Sequence, residues 1–137
     1  MAAAAERGVL DTSTVIVSAG LDAQQLPTRM FISAVTLAEL AVGPLVAGTT
    51  DERVARQGHL QLAAELDLLP FDDRCAREFA PIAAQIRAGG SKRRARAYDT
   101  LIAATAIANA MPLYTANPDD FEGIPGLDLR PVPAPEE

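Results

Sequence analysis

A chain of 137 residues, 49% of them apolar and with a net charge of −6, has material for one good core and not for two. That acidic balance argues against a general nucleic-acid coat held by a basic surface, although a local basic patch stays open. Cys75 is the only cysteine and His59 the only histidine, so neither an intrachain disulfide nor a Cys/His zinc centre can form, and a reducing compartment is the default.

Gly8-Val9-Leu10 reads as the end of a short buried strand, closed by Asp11-Thr12-Ser13-Thr14 and followed by a short helix over Val15 to Leu21. Met30-Phe31-Ile32 is a second run of strand length, and Ser33 offers the start of a helix over Val35 to Val46. Asp51 to Leu66 has helical periodicity, with Val54, Leu60, Ala63 and Ala64 assigned to the inner side. Leu68-Leu69-Pro70-Phe71 is a candidate third strand. Asp73 to Ala88 places Cys75, Phe79, Ile82, Ala83 and Ile86 at helical spacing, and Gly89-Gly90-Ser91 stops it. Arg96 to Met111 is apolar almost all round and should be a buried helix. Leu113-Tyr114-Thr115 reads as a fourth strand, Pro118 to Phe121 as a turn or short helix, and Leu127-Asp128-Leu129 as a last edge strand.

Short apolar strands alternating with helices predict a single α/β domain over residues 1–137, a sandwich around a parallel sheet of about five strands. Residues 131–137 read as a flexible tail. The most apolar stretch, Leu101 to Leu113, is shorter than the ~20 residues of a membrane span. Met1 to Arg7 has no signal-peptide core, so a cytoplasmic protein without membrane attachment is expected.

Four acids stand at the margins of apolar segments: Asp11, Glu39, Asp99 and Asp120. A carboxylate there is costly unless it is hydrogen-bonded, paired or bound to a cation. Each has an ordinary structural reading as well. Asp11 can cap a helix, Glu39 can close a capping box with Thr36, Asp99 can favour a helix N-terminus, and Asp119 and Asp120 suit a turn. The hydroxyls of Thr12, Ser13 and Thr14 offer further oxygen ligands or phosphate-facing donors. No Gly-rich nucleotide loop is present, and the Asp-x-Asp of an aspartyl phosphatase family fails because position 13 is Ser.

Taken in order, Leu-Asp-Thr-Ser, Thr-Leu-Ala-Glu-Leu, Tyr-Asp-Thr-Leu-Ile-Ala-Ala and Tyr-Thr-Ala-Asn-Pro-Asp-Asp-Phe resemble the motifs of PIN-domain ribonucleases, most of all the VapC-type toxins. The resemblance covers about Val9 to Leu129. It implies a PIN-like three-layer sandwich and an acidic cluster of Asp11, Glu39, Asp99 and Asp120 that binds Mg²⁺, with Mn²⁺ as a substitute. It further implies a metal-dependent endoribonuclease leaving 5′-phosphate and 3′-hydroxyl ends, an antitoxin partner and a homodimer. Many PIN domains carry Asp where this chain has Asn117, so Asn117, Asp119 and Asp120 all remain candidates for the fourth position. Ser13, Thr115 and Asn117 are expected as auxiliary or substrate-facing groups.

Lys92, Arg93, Arg94 and Arg96 form the one dense basic run, just before Asp99. Arg93, Arg94 and Arg96 could hold an RNA backbone across the cluster or receive an acidic antitoxin segment. The alternative to the toxin nuclease is a catalytically weak PIN module that binds RNA or protein without turnover. Digestion of RNA with and without Mg²⁺ separates the two.

Overall fold

The computed structural model describes residues 5–89 and 97–134. Five parallel strands run in the order β3-β2-β1-β4-β5: β1 Arg7–Leu10, β2 Arg29–Ser33, β3 Asp67–Leu69, β4 Leu113–Thr115 and β5 Leu129–Pro131. The helices between them are α1 Thr12–Val17, α2 Ala34–Leu45, α3 Thr50–Ala64, α4 Asp73–Ala88 and α5 Ala97–Ala108. None among the described residues is long and apolar enough to cross a membrane.

The two-residue period of the strands sorts the core into two halves. Leu10, Ile32 and Tyr114 pack on one face with Val15 of α1, Leu40 of α2 and Ala63 of α3. Val9, Phe31 and Leu113 pack on the other with Ile102, Ala103 and Ala106 of α5. Both faces are therefore covered, which is why the strands are apolar without alternation, and α4 lies outside on α5. This is the three-layer sandwich the sequence predicts. Gly8 sits where a Cβ would stand 2.6 Å from Tyr114 Cε1, so the tyrosine ring can lie against β1 only because residue 8 has no side chain.

Helices α2 and α4 begin where expected. Ser33 caps α2 by accepting from the N–H groups of Val35 and Thr36, and Asp72 caps α4 by accepting from Cys75. Other elements differ. The first helix starts at Thr12, because Asp11 is its N-cap, and after Val17 it tightens into a 3-10 turn over Ser18–Gly20. On α3, Ala63 is buried but Val54 is 66% exposed, because only the C-terminal part of that helix lies on the sheet. The third strand is Asp67–Leu69 rather than 68–71, paired to β2 with Phe31 opposite Asp67 and ended before Pro70, which has no N–H to give. The last strand begins at Leu129 rather than Leu127, after a turn at Gly126 whose φ of 81° suits glycine. Pro131, expected in the tail, pairs with Thr115, and Val132 is buried. The basic run at 92–96 lies outside the described residues.

The order of the sheet fixes where a ligand can go. From central β1 the chain proceeds to β2 and β3 on one side, then returns to β4 and β5 on the other. The crevice between the carboxyl ends of β1 and β4 is the topological switch point.

Candidate active site

Asp11 is the residue immediately after β1, on the switch-point crevice, and is 3% exposed. Its Oδ1 accepts from Ser13 Oγ at 2.8 Å, from Thr14 N at 2.9 Å and from Thr14 Oγ1 at 2.7 Å. Its Oδ2 accepts from Thr115 Oγ1 at 2.6 Å. Two of these hydroxyls are themselves held by the strand across the crevice. Ala116 N donates to Ser13 Oγ at 3.3 Å, and Asn117 N donates to Thr115 Oγ1 at 2.9 Å. Each hydroxyl thus accepts from the backbone after β4 and passes its own proton to the carboxylate. That pattern is suited to an ionised Asp11, and it ties the exit of β4 to the exit of β1. Thr14 Oγ1 also lies 2.9 Å from the Tyr114 carbonyl, and its one proton serves one acceptor at a time. Oδ1 keeps Ser13 Oγ and Thr14 N as donors against one on Oδ2, so the oxygen with room for a further partner is Oδ2.

Glu39 comes from the second turn of α2. Its Oε1 accepts from Thr12 Oγ1 at 2.7 Å, so the capping box with Thr36 is not formed: the cap is Ser33, six residues ahead. Asp99 lies in the first turn of α5. Asp119 and Asp120 lie in the first turn of the 3-10 helix Pro118–Phe121, pinned by Phe121, which is 2% exposed.

A cleft of about 430 Å³ joins these pieces, lined by Asp11, Glu39, Asp99 and Asp120 together with Thr12, Ser13, Ile16, Ala97, Tyr98 and Asn117. Of the residues named from the sequence, Thr115 is fully buried behind Asp11 and not in the cleft, and Asp119 is not among the lining residues. Arg93, Arg94 and Arg96 lie outside the described residues. The hydroxyls of residues 12–14, expected as ligands or phosphate-facing donors, turn inward instead: those of Thr12 and Ser13 donate to carboxylates, and Thr14 Oγ1 lies within reach of both Asp11 Oδ1 and the Tyr114 carbonyl. Ile16 was not singled out in the sequence, and Tyr98 only as the nearest aromatic in a chain too poor in aromatics for a base-stacking platform; they are 43% and 60% exposed at the edge of the acidic cleft.

Oxygen is the only donor element the polar lining offers, which suits a hard divalent cation and no soft one. Among the described residues no three acidic, Cys or His side chains are arranged to hold a metal ion by themselves. A cation here would keep several of its waters, as Mg²⁺ does.

A parallel sandwich with an oxygen-rich acidic cleft at its switch point defines a class of hydrolase-like sites, and comparison with known proteins specifies it further. The PIN-domain family model matches residues 8–127. Ribonuclease VapC5 of Mycobacterium tuberculosis is 43% identical over 122 residues, covering 87% of this chain and 88% of its own. VapC ribonuclease Y4jK of Sinorhizobium fredii is 34% identical, covering 88% of this chain and 94% of its own. Among solved structures, the toxin–antitoxin complex VapBC-5 from Mycobacterium tuberculosis superposes with a TM-score of 0.79 at 38% identity, over 94% of this chain and 99% of that one. VapBC2 from Rickettsia felis, at 21% identity, shares the fold with a TM-score of 0.72, over 92% of this chain and 98% of its own. The chain belongs to the PIN-domain family, in its VapC group.

Proposed function

We propose that the chain is a divalent-metal-dependent endoribonuclease, the toxin half of a toxin–antitoxin pair, with Asp11, Glu39, Asp99 and Asp120 holding Mg²⁺ and Mn²⁺ able to replace it. The observation that carries the reading is the meeting of four acids from four separate elements on one cleft at the switch point. Such a cluster repels phosphate as it stands, so a cation is needed before a polyanion can enter. The cation supplies charge neutralisation at the phosphate and a water nucleophile at neutral pH.

The chain's own contribution is placement. Asp11 offers Oδ2 from a carboxylate held by Ser13, Thr14 and Thr115, so that ligand need not be ordered when the cation arrives. Asn117 on the far wall can donate through its amide to a phosphate oxygen without adding negative charge. Ile16 and Tyr98 give an apolar rim against which a base can rest. RNA digestion in Mg²⁺ should yield ends with 5′-phosphate and 3′-hydroxyl. Cleavage that persists in chelator and in Asp99→Asn would overturn the reading.

Asn117 in a place where many PIN domains carry Asp favours the second reading, a binding module with weak turnover. An Asn117→Asp variant that gains cleavage by a large factor over the natural chain would favour it. A cytoplasmic location and a cognate antitoxin follow from the toxin reading. The homodimer is part of the same proposal: light scattering should give twice the 14.4 kDa of one chain.

A further inference from the structure

Glu39 reaches the cleft on a long flexible side chain, and the group that holds it belongs to another helix. Thr12 Oγ1 lies 2.7 Å from Glu39 Oε1 and 3.2 Å from Thr36 Oγ1. A threonine hydroxyl has one proton to give and two lone pairs. The carboxylate is the nearer and stronger acceptor, so the Thr12 proton goes to Glu39 and the proton between the two hydroxyls comes from Thr36. The relay therefore runs from α2 to the first turn of α1 and back to α2. Its far end is immobile, since Thr36 is 0% exposed. Its middle is immobile too, because Thr12 is the residue after Asp11 and begins the helix that Asp11 caps. The Thr12 methyl adds a stiff χ1, which a serine would lack.

We infer that Thr12 is a positioning residue: its hydroxyl holds Glu39 Oε1 and leaves Oε2 as the glutamate oxygen for a divalent cation. The inference rests on the reading of the cleft as a cation site. A tethered Glu39 is ordered before the cation arrives, whereas a free one must be ordered at that moment, so the hydroxyl acts on affinity. Partners behind a metal ligand of this kind are worth about 10–100-fold in metal affinity.

The test is titration of the full chain with Mn²⁺ alone, following free ion by electron paramagnetic resonance. Thr12→Val keeps the shape and removes the hydroxyl; it should bind Mn²⁺ about 10–100-fold more weakly. Thr12→Ser should restore most of the affinity. In the Glu39→Gln background, Thr12→Val should cost little more, because the group it positions is already changed. Wild-type affinity in Thr12→Val, equal losses in Val and Ser, or fully additive losses in the double variant would each overturn the inference and leave the cation site standing. A wild-type chain that does not bind Mn²⁺ would overturn the site and the inference together. Should Thr12→Val not fold, Thr12→Ala carries the same cycle.

Discussion

Asp11 serves the fold as well as the cleft, and substitution should show both. Asp11 is buried among donors from Ser13, Thr14 and Thr115, and the Ser13 and Thr115 hydroxyls already accept from the backbone. An amide at that position must turn an N–H toward a proton, so Asp11→Asn should cost stability, about 1–3 kcal/mol for a disturbed buried polar group, as well as activity. Asp99→Asn should remove cleavage too, by taking a charge from the cleft. An unchanged urea midpoint in Asp11→Asn would contradict this account of Asp11. The acids themselves were legible in the sequence, because a carboxylate beside an apolar run is conspicuous. The hydroxyl partners were visible as a cluster but not as to direction. Nothing in Thr12-Ser13-Thr14 says whether an O–H points out to a phosphate or in to a carboxylate. Thr115 is a similar case: its motif was readable, its burial behind Asp11 was not.

Element boundaries followed the capping chemistry where that chemistry is local. Ser33 was correctly placed from sequence, and so was the start of α4 at Asp73, because a cap needs only its next three residues; the cap of α4 itself is Asp72. The Asp72 carboxyl is held down to about 2 from 3.8, first by the Cys75 N–H and then by its other hydrogen bonds, among them Arg74. A group lowered on folding contributes in full above its unfolded value and loses that contribution as pH falls through the folded one. Unfolding monitored between pH 4 and pH 2 should therefore be less steep in pH for Asp72→Asn, which keeps a capping oxygen and loses the titration. An unchanged slope would remove Asp72 from the acid limb. The other end of a helix was not legible. Ala110 adopts φ 55° after α5, where Met111 N donates to Ala106 O and Ala110 N to Ile107 O, the paired bonds that close a helix with a left-handed residue. Glycine is the usual occupant, and alanine leaves no sign of the turn in the sequence. Ala110→Gly should stabilise the protein by about 0.5–1 kcal/mol, the relief of strain exceeding the added freedom of the unfolded chain. A lower thermal midpoint would show that the strain is not there.

At the scale of the whole molecule, the parallel sheet was legible because both its faces are buried and its strands are therefore apolar throughout. The uncovered surface was legible in outline, because the helices from Val35 to Leu66 carry more Ala, Leu and Val than one core needs. Which of those residues stay outside was not, since an apolar residue on α3 reads the same whether it meets the core or a partner. Of seven large apolar side chains exposed among the described residues, Val42, Leu45, Val46 and Val54 belong to α2, its end and α3. The two helices are locked there by Arg56, whose side chain lies over Gly43 and donates to the Gly43 carbonyl at 3.0 Å. A rigid platform with Leu45 at 84% and Val46 at 66% exposure is uneconomical for a free monomer and suits an apolar segment of a partner protein. The antitoxin is the occupant expected here: an amphipathic segment of it would bury these side chains while a further residue of it reaches into the acidic cleft. Leu45→Asp and Val46→Asp together should weaken antitoxin binding by calorimetry and release cleavage from inhibition. Stability should stay within about 0.5 kcal/mol per exposed site, and RNA cleavage by the isolated chain should be unchanged. If antitoxin binding survives while light scattering reports half the natural mass, this surface joins two copies of the chain instead, and the antitoxin must be sought on another face.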